Sequence, residues 1–288
     1  MTPVHFTQVD TTWANVWRGG RRMDSHSGSL HPAGIGREWG EDFDGGDACQ
    51  ASGTSIFDPV LCELMYSWFC PPGGVVLDPF AGGSVRGIVA ATLGRQYVGV
   101  DLSARQVAAN EAQAETICNG VKPTWLVGDS LQIADIAPGE YDFVFSCPPY
   151  ADLEVYSDDP ADLSTMEYPA FREAYRNIIG RAVGMLKPDR FACFVVGDVR
   201  GKDGCYIGFV PDTIRAFEDA GARYYNEAIL VTAVGSLPVR VGKQFTAGRK
   251  FGKTHQNVLV FVKGDPRKAT EAVGEVACVE LATAEGDG

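Results

Sequence analysis

The segment FSCPPYADLEVY, residues 145–156, sets Cys147 against Pro148, Pro149 and Tyr150 at the end of an apolar run. Two prolines stiffen the backbone, so Tyr150 is held where its ring can stack on another flat ring, worth about 1–3 kcal/mol when the partner is a nucleobase. The thiol of Cys147 has two readings at this point. It is a nucleophile if its surroundings favour the thiolate, which at an ordinary thiol pKa of about 8.5 is only a few per cent present at neutral pH. Otherwise it is a small packing residue at a strand end.

A second cluster lies upstream. VVLDPFAGGSVRG, residues 75–87, reads as strand, acid, glycine turn and helix, and further acids close the next two strands, giving Asp78, Asp101 and Asp129 in register. Ligands bind at the carboxyl ends of strands in open α/β sheets, and glycines allow close backbone approach. A row of carboxylates repels pyrophosphate but suits an ammonium, a ribose diol and an amino-purine. S-adenosylmethionine carries all three and no phosphate. Any one of these acids alone would also serve as a helix N-cap.

These residues need a frame. From Ser55 onward short β-branched or aromatic runs (VVLDPF, QYVGVD, TWLVGD, YDFVFSC, FACFVVGDV, NEAILVTAV, NVLVFVKG) alternate with helical patterns. The predicted helices start after Asp58 with Pro59 in the first turn, then run from Val85 to Leu93, over SARQVAANEAQAETICNG, from Tyr168 to Leu186 and from Pro211 to Ala220. Right-handed crossovers turn this alternation into a doubly wound, mostly parallel sheet covered on both faces. Only a basic loop separates the last two strands, so the final strand is expected to run antiparallel. Residues 1–54 read as an extended N-terminal arm, 55–264 as the catalytic domain and 265–288 as a tail.

FDPVLCELMYSWFCPPGGVVLDPFAGGSVRGIVAATLGRQYVGVDLSARQVAANEAQ, followed by DFVFSCPPY, resembles the DNA amino-methyltransferases that modify adenine N6 or cytosine N4, and in particular a group of phage-borne DNA methylases. The resemblance spans about Ser55 to Gly264 and implies the seven-stranded, Rossmann-like S-adenosylmethionine-dependent methyltransferase sheet. It implies that Asp78, Phe80, Ala81 and Gly82 hold the methionine part, Asp101 the ribose and Asp129 the adenine. Gly83, Ser84, Leu102 and Ser130 complete the expected cofactor lining. Ser84 stands where the family tends to have glycine. Cys147 stands where the family has Asp, Asn or Ser, whose oxygen accepts from the target amine. Sulfur accepts weakly, so Ser146 or the Cys147 carbonyl is a candidate substitute, with Glu154 and Tyr156 nearest the base. The alternative is attack of Cys147 on cytosine C6, which makes C5 the methyl acceptor.

The formal net charge of −12 argues against a protein that coats nucleic acid indiscriminately. Yet no acid falls between Glu227 and Asp265, where Arg240, Lys243, Arg249, Lys250 and Lys253 interleave with Phe245 and Phe251. That segment, residues 235–256, is the expected DNA-contacting loop. Eight scattered cysteines suggest neither a disulfide frame nor a metal site. No apolar run reaches the roughly 20 residues that span a bilayer, and a cytoplasmic protein is expected. A methyltransferase acting on RNA or a small molecule, and a non-catalytic DNA-binding protein, remain rivals on the same fold.

Overall fold

Asp58 Oδ1 accepts hydrogen bonds from the Val60 and Leu61 N–H groups, and so caps helix α1 (Pro59–Phe69) as the Asp-Pro pair predicts. The computed structural model describes residues 57–149, 161–231 and 237–276. The N-terminal arm, Tyr150, Glu154 and Tyr156 lie outside the described residues.

After α1 the chain runs through β1 (Val75–Asp78), α2 (Val85–Thr92), β2 (Gln96–Asp101), α3 (Ala104–Ile117), β3 (Thr124–Val127), α4 (Ile133–Ile136) and β4 (Tyr141–Ser146). There follow α5 (Tyr168–Met185), β5 (Leu186–Val196), α6 (Phe209–Asp219), β6 (Ala222–Val231), α7 (Leu237–Gly248), β7 (His255–Lys263) and α8 (Pro266–Val273). The strands form one seven-stranded sheet in the order β3-β2-β1-β4-β5-β7-β6. All neighbouring pairs are parallel except those of β7, which runs antiparallel to both β5 and β6. This is the doubly wound, mostly parallel, Rossmann-like sheet of seven strands expected from the sequence, with the antiparallel last strand.

Alternate side chains feed two cores. Tyr66 and Ile88 pack with Phe143, Phe145 and Cys193 on one face, while Phe171, Tyr175, Phe209 and Phe217 pack with Val144, Phe194 and Phe261 on the other. The Phe217 and Phe261 rings stack at 3.9 Å. Strand order reverses between β1 and β4, so their carboxyl ends open the crevice in which a ligand of such a sheet sits. No helix among the described residues is long and apolar enough to cross a membrane.

Two segments differ from expectation. The stretch read as a basic loop contains α7, whose Leu237, Val241 and Phe245 recur every four residues behind a first-turn proline. Glycines and cations mask this pattern in the sequence. Because β6 and β7 are antiparallel neighbours, α7 is an excursion within a hairpin rather than a crossover. The stretch read as tail contains α8, capped by Asp265 before Pro266, with Ala269 and Val273 buried against the first core. It repeats the Asp-Pro start of α1, a signal too short to stand out beside the polar residues around it.

Candidate active site

Asp78, at the carboxyl end of β1, is fully buried and is the hub of the site. Its Oδ2 accepts from Arg86 Nε at 2.6 Å and from the Tyr97 hydroxyl at 2.7 Å. Its Oδ1 accepts from the Ser146 hydroxyl at 2.5 Å and the Phe80 N–H at 3.1 Å. Arg86 also donates through Nη2 to the Phe80 and Ala81 carbonyls at 2.6 and 2.9 Å, and lies over the Phe57 ring. Burial alone would lower the Arg86 pKa, but the Asp78 carboxylate more than reverses this and holds the guanidinium charged. Burial first, and then the same carboxylate, push Tyr97 well above an ordinary phenol, so its hydroxyl stays a donor.

The carboxylate of Asp78 is therefore filled by groups of the protein itself. Asp78, the acid expected to hold the methionine part of a ligand, ties the turn to α2, β2 and β4 through these bonds. Sequence reasoning passed over Arg86. Its signal is a cation in the apolar helix start VRGIVAAT, since a buried guanidinium requires a buried acid.

The turn itself is tied to β2. Gly82 adopts φ +50°, a conformation that glycine takes at little cost. Its N–H donates to Asp101 Oδ2 at 2.8 Å, and its carbonyl accepts from Asn110 at 2.7 Å. Asp101 Oδ1 accepts the Ser103 N–H at 2.8 Å. Each Asp101 oxygen thus takes one backbone donor and keeps capacity for another. Asp101 and Leu102 are half-buried, as are Phe80, Gly82 and Gly83, and Ala81 is buried. An added Cβ at Gly83 meets nothing within 4 Å, so that side of the turn is open. Burial raises the Asp101 pKa against the opposing Ser103 and Gly82 N–H groups. An open glycine turn beside a half-exposed acid with spare acceptor capacity fits a ligand that carries a vicinal diol.

Ser84 is buried and donates to Gln113 Oε1 at 2.5 Å, so its hydroxyl points into α3 rather than the crevice. Asp129 caps the short 3-10 turn Ser130–Gln132 through the Leu131 N–H at 2.8 Å, the alternative role foreseen for a strand-end acid. The Ser130 hydroxyl donates to the Pro79 carbonyl at 2.6 Å and pins the third strand end to the glycine turn.

On the adjacent strand, Ser146 is fully buried with its hydroxyl engaged on Asp78. The hydroxyl expected to accept from a substrate amine keeps its lone pairs while it donates, but it lies wholly inside the protein. Cys147 is half-buried and packs against the first core, Pro148 is buried and Pro149 half-buried. Cys147 interacts electrostatically with Arg86. Ser146→Ala is expected to lower unfolding free energy by about 1.5–3 kcal/mol, the cost of losing a hydrogen bond to a buried charge; equilibrium denaturation checks it. Among the described residues no group of three or more His, Cys, Asp or Glu side chains could hold a metal ion.

The basic segment reaches the same end of the sheet. Lys243 and Arg249 are exposed, and Arg249 lies 5.2 Å from the Phe245 ring centroid. Lys250 rests against Gly204, and Lys253 Nζ donates to the Asp198 carbonyl at 3.4 Å. The side chain of Arg240 lies outside the described residues.

Residues 58–112 match the family model described as DNA methylase. The DNA methylase match runs from the α1 cap through the glycine turn and Asp101 into α3, so the family resemblance read from the sequence is borne out there. A search of curated proteins found no match. Among solved structures, TrmN from Thermus thermophilus is similar at 16% identity over 71% of this chain and 48% of that one, with a TM-score of 0.47. This chain spans about half the length of the Thermus protein. A magnesium protoporphyrin IX methyltransferase from Synechocystis PCC 6803, with bound S-adenosylmethionine, is similar at 17% identity over 72% and 79% of the two chains, TM-score 0.45. A methyltransferase from Pyrococcus furiosus is similar at 14% identity over 75% and 92%, TM-score 0.47. Likenesses this remote add nothing to the topology already described. The sheet and the DNA methylase match together support an S-adenosylmethionine-dependent methyltransferase.

Proposed function

We propose that the chain methylates an exocyclic amine, cytosine N4 or adenine N6, of a nucleotide swung out of DNA. The observation that carries this reading is the Ser146–Asp78–Arg86 chain of hydrogen bonds. It locks the strand end bearing Cys147, Pro148 and Pro149 to the glycine turn of the DNA methylase segment. A ligand held at the turn and a base held at the prolines then share the crevice between β1 and β4.

S-adenosylmethionine supplies a methyl group on a positively charged sulfur when bound. Asp101 would accept from its ribose diol, and the Gly82–Gly83 turn would hold its methionine portion. On the base side, Pro148 and Pro149 brace Tyr150 for stacking, which repays part of the few kcal/mol needed to extrude a base. With the Ser146 hydroxyl turned inward, the Cys147 carbonyl is the acceptor left to orient the amine N–H, so that the nitrogen lone pair faces the methyl carbon. Arg240, Lys243, Arg249, Lys250 and Lys253 serve the phosphates.

The rival, C5 methylation with Cys147 as nucleophile, requires a cation free to favour the thiolate. Arg86 is already neutralised by Asp78, which favours the amine reading. Cys147→Ser separates the two. The serine variant is expected to keep methyl transfer to DNA within about tenfold of the parent, as a loss near one hydrogen bond implies. Abolished transfer by a folded variant that still binds cofactor would establish the nucleophile instead.

A further inference from the structure

Val196 at the end of β5 pairs with Asn257 near the start of β7, and Ser146 at the end of β4 pairs with Phe194 of β5. The loop after β5 and the α7-to-β7 connection therefore emerge on the same edge of the sheet as Cys147. Each carries a cation laid on an aromatic face. In the loop, Arg200 sits 4.0 Å from the Tyr206 ring centroid, held there by its bond to the Gly204 carbonyl at 2.9 Å. In the other segment Arg249, at φ +53°, is folded back over Phe245, whose ring is 6.0 Å from that of Phe251. Lys250 joins the two, because its amino group packs on Gly204, so that a Cβ there would be 2.7 Å from Nζ.

Phe251 is 76% exposed and Tyr206 is 47% exposed. Large apolar rings left in water among cations, on a chain of net charge −12, mark a binding surface rather than a solvated face. A polyanion alone would need the cations but not the rings, whereas a nucleobase offers a π-face and its phosphate a charge.

We propose that the Arg200–Tyr206 and Arg249–Phe245–Phe251 stacks, joined by Lys250, form one binding surface for a nucleic-acid strand that presents unpaired bases, Phe251 and Tyr206 stacking the bases and the cations taking the phosphates. The inference rests on the DNA-methylating reading and adds to it Arg200, Tyr206 and the preference for unstacked bases beside the target.

The test compares full-length protein with its Phe251→Ala, Tyr206→Ala and Phe251→Trp variants, titrated against a labelled single-stranded DNA oligonucleotide and against inorganic polyphosphate of similar charge. The alanine variants are expected to weaken oligonucleotide binding by roughly 5- to 150-fold each, the range for loss of one stacked base. Polyphosphate binding should stay unchanged, and Phe251→Trp should retain the parent affinity. Equal losses on both polymers, or none on either, would overturn the proposal. Methyl transfer to DNA is followed in the same preparations. A parent that methylates DNA while Phe251→Ala binds the oligonucleotide undiminished sinks this surface and spares the function. A parent that neither binds nor methylates DNA sinks both.

Discussion

Arg86→Met is expected to destabilise the protein by about 3–5 kcal/mol, because it strands the Asp78 carboxylate in the core without its cation. Both side chains are almost wholly buried, 5% exposed for Arg86 and 0% for Asp78, so water cannot replace the lost partner. The Phe80 and Ala81 carbonyls lose their donor in the same step. Methionine fills most of the volume, so the loss reports charge rather than a cavity. Asp78→Asn is expected to be nearly as damaging, since it leaves the guanidinium uncompensated. The double variant Asp78→Asn/Arg86→Met should be less unstable than the sum of the two, because neither charge is then left alone. Chemical denaturation of the four proteins closes the cycle. Strict additivity would show that the ion pair does not hold the turn.

Asp101→Asn is the second large effect, read in cofactor affinity. An amide offers one oxygen where the carboxylate has two, and its NH₂ must then face the Gly82 or the Ser103 N–H, donor against donor. The diol loses a charged acceptor as well, worth about 1.5–3 kcal/mol, or roughly 10- to 150-fold in affinity. Calorimetric titration with S-adenosylhomocysteine measures it, and unchanged affinity would mean that the ligand lies elsewhere. The parent protein carries a pH signature of the same group. Burial raises the Asp101 pKa, so affinity that depends on the ionised acid should be complete well above that raised value. It should fall with decreasing pH sooner than an ordinary aspartate would make it fall.

Much of this frame was legible in the residues because its signals are local. Asp58 before Pro59 announces α1, and strand-sized apolar runs alternate with helical spacing; the final strand runs antiparallel as expected, although the stretch before it holds helix α7 and not the bare loop that expectation assumed. What escaped is non-local or weak in signal. Asp78 is visibly an acid at a strand end, but whether its lone pairs are free depends on Arg86, Tyr97 and Ser146, which lie 8, 19 and 68 residues away in sequence. Only folding brings them together. Ser146 and Ser84 likewise carry hydroxyls of the right type for a site, and the fold turns both inward. Helix α7 has its apolar positions diluted by glycine and by charge, and α8 is short and set among polar residues. Asp129 could be read as a ligand or as a cap; the cap is made by one carboxylate oxygen, and the two roles are compatible.

Identifying the methylated nucleoside tests the central claim most directly. DNA treated with the protein and S-adenosylmethionine is digested to nucleosides and analysed by mass. The account predicts N4-methylcytosine or N6-methyladenine, formed by the parent and by the Cys147→Ser variant alike. Detection of 5-methylcytosine, formed by the parent and absent with the serine variant, would contradict it.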